Sequence, residues 1–354
     1  MKILHTSDLH LNSKMTSRLG AAKAREQARE LVLNFKEMTD FAEREGCRAF
    51  IIAGDLFDTD SISEAVKKSA LDIIAAKPEI TFFYLPGNHE RLALANGGVL
   101  PENLRIFQQG WTYFTKDGVR FAGRWETEPD MFKTLEDKGD SEALVCVLHG
   151  ELRDRSDFGG VIGKRDAEFS SPDYLALGHY HSFSCEEFGK NRFAVYPGTP
   201  LGRGFDECGE CGFVIIDTDG ENVKFNFQKT HKRQILIKDV ELDGVSGTHE
   251  LWDKISHACR DIPKSTILRV RLCGERTPEA KLDIEFVENA MKNSFYHFEI
   301  KDASRLKIRY EDYINDKTLK GEFIRLVLSD TKLSENEKTG VILAGISALM
   351  GESV

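Results

Sequence analysis

The chain has 354 residues, 41% of them hydrophobic, and its 58 acidic against 48 basic side chains leave a formal net charge of −10. That length buries a full core and accommodates one large domain plus a smaller one, or two comparable ones, while the acidic balance excludes a global basic field that would draw in a polyanion. No apolar run approaches the ~18 residues of a membrane span. The opening Met1-Lys2-Ile3-Leu4-His5 reaches Asp8 too soon for a signal peptide, so a cytoplasmic chain with no membrane attachment is expected.

Seven thinly spread cysteines fit reduced thiols better than a disulfide framework. Cys208-x-x-Cys211 lacks the second pair or nearby histidines of a zinc ribbon and reads as two ordinary thiols. Charged segments at 14–25, 153–155 and 164–165 offer local contacts to phosphate, although a solvated surface face is the more common explanation of such runs.

In chain order, residues 3–6 form a first apolar run, ending at Ser7-Asp8. Residues 21–45 carry Leu31, Phe35, Met38 and Phe41 at three- and four-residue spacing, the pattern of an amphipathic helix. A strand at 49–53 ends at Gly54-Asp55, a helix follows at 63–76, and a strand at 80–85 ends at Pro86-Gly87-Asn88-His89. This βαβ order predicts parallel neighbours in one sheet. Strands at 144–148 and 174–177 end at His149-Gly150 and Gly178-His179. Apolar pairs at 111–115 with 119–124, and at 213–216 with 223–227, flank turn residues and predict hairpins, hence a second, more antiparallel sheet packed against the first. From about 233 the alternation restarts: strands at 234–237, 267–272 and 296–300 with helices at 249–259 and 278–291, then helices at 319–328 and 335–350.

Five strands thus deliver polar residues at their carboxyl ends. Asp8 and His10 at the end of an extended run would point the same way, since alternate residues do. Carboxylate with imidazole is the mixed donor set that Mn²⁺, Fe²⁺ or Zn²⁺ accepts, so transition-metal ions are expected. Asp55 adds a carboxylate able to bridge two ions, Asn88 an amide oxygen on a sharp turn, and His149, His179 and His181 three imidazoles. Two ions ~3.5–4 Å apart clamp a phosphate and bring an attacking water's pKa towards neutrality. Each motif is weak alone, but five in series after apolar strands are hard to produce by core packing, because buried imidazoles and carboxylates are costly unless paired or metal-bound.

Asp8-Leu9-His10, Gly54-Asp55-Leu56-Phe57-Asp58, Gly87-Asn88-His89-Glu90, His149-Gly150 and Gly178-His179-Tyr180-His181 resemble the calcineurin-like metallophosphoesterase superfamily. The opening His5 to Leu11, Tyr196-Pro197-Gly198-Thr199-Pro200, Gly204-Phe205-Asp206-Glu207 and Leu319-Lys320-Gly321-Glu322-Phe323 extend the resemblance to its SbcD-like DNA-repair exonuclease branch. The resemblance implies an α/β (α+β) fold: a four-layer β-sandwich flanked by helices over 1–232, a smaller α+β capping domain over 233–305 and a C-terminal helical tail over 306–354 that contacts a partner. It implies two divalent metal ions, with Mn²⁺ foremost. Asp8, His10, Asp55 and His181 would hold one ion and Asp55, Asn88, His149 and His179 the other, with Asp55 bridging. It also implies DNA as substrate, an SMC-like (SbcC-type) ATPase as partner, and a homodimer built on helices such as 21–45.

His89 would be the acid-base or phosphate-positioning residue, and an imidazole beside the amide ligand suits protonation of a leaving alkoxide. Glu90 stands where relatives often have Asp. Asp58, where some have His, would orient His89 or cap its loop. Two other readings use the same residues: a phosphodiesterase or phosphatase for small or protein phosphoesters, and a non-catalytic partner-binding protein with structural metals. No substrate-binding residue is indicated.

Overall fold

The structure, a computed structural model, describes residues 1–354 except 14–20, 91–93, 95–98, 171, 219–222, 231–232, 279, 314 and 350–354. It separates into two compact units, Met1–Ile235 and Leu236–Val354. Most of the basic segment 14–25 lies outside the described residues.

The first unit runs β1 (Lys2–Thr6), α1 (Ala21–Arg44), β2 (Ala49–Ala53), α2 (Glu64–Ala75), β3 (Thr81–Leu85), β4 (Leu104–Ile106), β5 (Thr112–Lys116), β6 (Val119–Gly123), β7 (Ala143–His149), β8 (Glu151–Arg153), β9 (Val161–Gly163), α3 (Lys164–Ser170), β10 (Tyr174–Gly178), β11 (Ser184–Gly189), β12 (Arg192–Tyr196), β13 (Gly212–Asp217) and β14 (Lys224–Lys229). Two six-stranded sheets result, ordered β14-β13-β1-β2-β3-β4 and β11-β12-β10-β7-β6-β5. The strands β1, β2 and β3 are parallel neighbours, as the βαβ pattern predicts.

The second sheet is not the more antiparallel one. Its interior, β6-β7-β10-β12, is parallel throughout, with antiparallel β5 and β11 at the edges. The β13–β14 hairpin forms as expected but joins the first sheet, pairing antiparallel with β1. Which sheet the hairpin extends depends on Val214 and Ile216 facing the same inter-sheet core as Ile3.

Alternation along the strands explains the layers. Ile3, Ile51, Phe83, Phe121, Val145 and Ala176 meet between the sheets. Leu4, Phe50, Ile52 and Phe82 face the other way, onto Leu31, Phe35, Met38 and Ala42 of α1 and Ala70 and Ile74 of α2. Buried on both faces, β2 reads as an unbroken apolar run. On the far side of the second sheet, Leu144, Cys146, Leu175 and Leu177 pack with Ala167 of α3 and with Met131 and Phe132 of a short 3₁₀ turn. Helix, sheet, sheet and helix make four layers.

The second unit holds a three-stranded sheet, β15 (Ile235–Glu241), β16 (Ile267–Cys273) and β18 (His297–Asp302), with helices α4 (Thr248–Ala258) and α5 (Ile284–Met291), and a two-stranded ribbon, β17 (Glu275–Arg276) with β19 (Arg305–Leu306). β16 and β18 are parallel across a connection that contains α5. Helix α5 begins six residues later than the apolar spacing predicts, because the Asp283 side chain accepts the Phe286 N–H at 2.9 Å and caps it there. Leu251, Ile255, Leu268, Val270 and Val287 form its core. A short helix, α6 (Tyr310–Tyr313), precedes α7 (Leu319–Ser329) and α8 (Glu335–Leu349), which close over Ile324, Val327, Ile342 and Ile346.

Candidate metal centre

The carboxyl ends of β1, β2 and β3 from one sheet and of β7 and β10 from the other meet at one rim. Backbone hydrogen bonds tie them: Asp8 N to Gly54 O at 3.1 Å, His10 N to Asp55 O at 2.9 Å and Gly150 N to Gly178 O at 3.1 Å. At Gly178 the approach is so close that a Cβ would lie 1.8 Å from the Ala53 carbonyl oxygen.

Asp8 and His10 do not converge by strand alternation. β1 ends at Thr6, and both residues are left-handed, with φ of 52° and 46°. Asp55 (51°) and His179 (114°) share that conformation. A non-glycine residue pays roughly 1–3 kcal/mol for it, and such strain persists where surrounding structure enforces it. Four strained residues carrying four predicted donors mark the rim as a place where geometry is held against local preference.

Asp8, His10, Asp55, Asn88, His149 and His181 come together, while the His179 ring stands beside them and outside both close-set donor groups. His10 Nε2 lies 3.4 Å from His181 Nε2 and 3.7 Å from Asp55 Oδ2. Asp8 Oδ1 lies 3.6 Å from His181 Nε2 and 4.0 Å from His10 Nε2. On the other side, His149 Nε2 is 3.5 Å from Asp55 Oδ2 and 2.9 Å from Asn88 Oδ1, with the His179 ring 5.5 Å away between centroids. Asp8, His10 and His181 present donor atoms within 4.8 Å of one another, and so do Asp8, Asp55 and His149. Asp8 therefore joins both sets, while Asp55 Oδ2 stands between His10 and His149. His89 Nε2 is 3.8 Å from the same Asp55 oxygen, on a half-exposed side chain.

These atoms fit divalent cations. Two ligands each about 2.0–2.2 Å from one ion stand roughly 3–3.5 Å apart, close to the separations here. Asp8 Oδ1 is buried and makes no hydrogen bond among the described residues, an arrangement costly for a carboxylate unless a cation faces it. His10 Nε2 and His181 Nε2 face each other at 3.4 Å, a separation that two ligands of one cation take.

An outer set of side chains orients the inner one. Asp58 Oδ1 stands 3.1 Å from His10 Nδ1, so the Asp58 carboxylate lies against the His10 ring. Glu207 Oε1 is 2.8 Å from His181 Nδ1. Arg203 joins the two carboxylates, donating from Nη1 to Asp58 at 2.8 Å and from Nε to Glu207 at 2.9 Å. One guanidinium thereby sets two imidazoles. Glu90, fully buried, accepts from Leu56 N (3.0 Å), Phe57 N (2.9 Å), Gly87 N (3.2 Å) and Tyr84 Oη (3.0 Å), binding the Asp55 loop to the Asn88 turn. Sequence reasoning singled out neither Arg203 nor Tyr84. Glu207 carried no signal beyond its place in a resembling stretch, since no spacing rule links it to His181.

Electrostatics follow the packing. Burial alone would raise Asp55, but hydrogen bonding and attraction from His149 hold it at about 2. Burial would lower His149, but Asp55 and Asp8 raise it to about 9. Burial and then His149 lower His179. The Glu207 hydrogen bond raises His181, and Glu207, despite burial, is held at about 2 by His181 and Arg203.

The model of the calcineurin-like phosphoesterase family matches residues 1–196, more than half of the chain. The chain belongs to that family. Three relatives are similar to this phosphoesterase. The uncharacterized metallophosphoesterase YhaO of Bacillus subtilis is 25% identical over 65% of this chain and 60% of its own length. The SbcD component of the nuclease SbcCD of Escherichia coli is 25% identical over 72% of this chain and 75% of its own. The DNA double-strand break repair protein Mre11 of Sulfolobus acidocaldarius is 22% identical over 88% and 85% respectively. The phosphoesterase thus spans less than two thirds of YhaO and more of the other two. Family members use divalent metals, and this phosphoesterase groups residues suited to hold them. None of its described helices is long and apolar enough to cross a membrane.

Proposed function

We propose that the chain is a two-metal, manganese-dependent phosphodiesterase that acts as a nuclease on DNA in repair, in the manner of the SbcD-like branch, in the cytoplasm. One observation carries the reading: a buried cluster of carboxylate and imidazole donors borders a half-exposed imidazole, His89, 3.8 Å from Asp55. In this reading Asp8, His10, Asp55 and His181 hold one ion and Asp55, Asn88, His149 and His179 the other. The bound ions supply positive charge opposite the phosphate and lower the pKa of the attacking water. Asp58, Arg203 and Glu207 keep the His10 and His181 rings turned inward. His89 protonates the departing alkoxide or positions the phosphate, its exposure leaving room for a polymer to approach. The similarity to a nuclease component and to a double-strand break repair protein supports DNA as substrate. Residues 233–305 then cap and guide DNA, and the helices of 306–354 contact an SMC-like ATPase; a homodimer through α1 belongs to the same reading.

The net charge of −10 favours a second reading, hydrolysis of small or protein phosphoesters. Purified protein with Mn²⁺, assayed on linear duplex, on single-stranded DNA and on bis-p-nitrophenyl phosphate, separates them: cleavage of DNA is expected, and hydrolysis of the small ester alone would establish the second reading. His89→Gln should lose about 10²-fold or more in rate, on the scale of general acid catalysis, with metal content unchanged. Full activity in that variant removes His89 from the mechanism.

A further inference from the structure

Beside the Asn88, His149 and His179 end of the centre lies a groove of about 360 Å³, within the roughly 300–1,000 Å³ of small-ligand clefts. Trp125 lines it, just beyond the end of β6, together with Glu126 and the side-chain-free backbone of Gly150, Gly159 and Gly160. No Lys or Arg is among its described lining residues.

Trp125 is firmly placed. It packs against the inter-sheet core. Its backbone N–H donates to Gln108 O at 3.1 Å, and the buried Arg124 donates through Nε to the Glu126 carbonyl. Gly160 N donates to Thr127 Oγ1 at 3.0 Å, tying the glycine loop to the Trp125 segment. An aromatic ring fixed beforehand loses little entropy on binding a flat partner, and a glycine backbone lets such a partner come close.

Polarity then orients the ligand. A phosphate suits the histidine end. The Glu126 carboxylate, whose Oε2 accepts from Gln109 Nε2 at 2.6 Å, repels anions from the Trp125 end and can accept from an exocyclic amine. At the Trp125 end, an aromatic surface with an acceptor and no Lys or Arg among the described lining residues matches a nucleobase better than a second phosphate.

We propose that this groove is a nucleobase subsite, in which Trp125 stacks on the base of a nucleotide flanking the scissile phosphate. This rests on the nuclease reading above and names how that site grips its substrate. Stacking of this kind is tolerant of sequence, so the subsite would help set where cleavage falls without selecting a base.

The test uses the full chain with Mn²⁺ and single-stranded oligonucleotides carrying one abasic residue at successive positions. Cleavage by the unaltered protein should fall roughly ten- to hundredfold when the abasic residue occupies one position beside the cut, and little elsewhere. Trp125→Ala should lose a similar factor on the complete oligonucleotide and lose nothing further on the abasic one; Trp125→Phe should recover most of the loss. Independently of turnover, deoxyadenosine monophosphate should quench tryptophan fluorescence in the unaltered protein and not in Trp125→Phe, whereas ribose 5-phosphate should quench neither. Active cleavage with no position-dependent abasic loss overturns the subsite and leaves the nuclease reading standing. Hydrolysis of bis-p-nitrophenyl phosphate with no oligonucleotide cleaved overturns both. If Trp125→Ala does not fold, the abasic scan on the unaltered protein decides.

Discussion

Glu90 and Glu207 show how much of the site depends on side chains that need touch no metal. Glu90 offers both carboxylate oxygens to four donors in a fully buried position. Glu90→Gln keeps the shape but turns an amide NH₂ on at least one N–H. An unsatisfied buried donor costs about 1–3 kcal/mol, so urea unfolding should show a loss of that size and Mn²⁺ titration a weaker affinity; an unchanged midpoint would mean the two loops hold without it. Glu207 bears on pH. Its folded value of about 2 lies below the usual 4.5, so it stabilises the fold above the unfolded value, and this contribution fades as pH falls from about 4.5 to about 2. A shift of that size is worth up to about 3 kcal/mol. Calorimetry of metal-free protein should therefore find Glu207→Gln less sensitive to acid over that window than the unaltered chain. Parallel melting curves would show that the ionised carboxylate contributes nothing there.

At the scale of elements, the site is a junction of strand ends from two sheets, and Gly178 is where they come nearest. A methyl group there would lie 1.8 Å from Ala53 O and 2.8 Å from His149 Nδ1. Backbone cannot yield as a flexible side chain would, so β2 and β10 must part. Gly178→Ala should cost at least the roughly 1–3 kcal/mol of an overpacked core and abolish metal-dependent hydrolysis. Retained activity would mean the strand ends are free to separate. Gly87 plays the same part between β3 and β2, where a Cβ would sit 1.9 Å from Asp55 Oδ1. The strands themselves were legible as apolar runs with polar ends, and α1 as a helix by its Leu31, Phe35 and Met38 spacing. The short elements β4, β8, β9, β11, β12 and α3 were not, since three to seven residues carry too little periodicity to rise above their surroundings.

For the whole molecule, all seven proposed donors and His89 fall within Met1–Ile235, which has its own core between and outside its sheets. A fragment of residues 1–234 should fold, hydrolyse bis-p-nitrophenyl phosphate with Mn²⁺ and lose most activity on DNA, if the second unit guides a large substrate. Mn²⁺ at a hundred times its dissociation constant should stabilise both fragment and full chain by about 2.7 kcal/mol, visible as a rise in melting temperature that a chelator reverses. Failure of the fragment to respond to Mn²⁺ would place part of the site in the second unit.

The sequence by itself determined the family and the strands that carry its polar motifs: five such motifs after apolar runs point to candidate donors, because burying such groups without a purpose is expensive. It also determined that β1, β2 and β3 are parallel neighbours, since short βαβ connections allow little else. Tertiary structure alone decided which sheet the β13–β14 hairpin would extend, that Asp8 and His10 converge through left-handed turns, and that Arg203 would bind Asp58 to Glu207 behind two imidazoles. Those outcomes join residues as far apart in the chain as Asp58 and Arg203. Periodicity and turn chemistry act over a handful of residues, whereas such pairings are settled only when two packed sheets bring their edges into register.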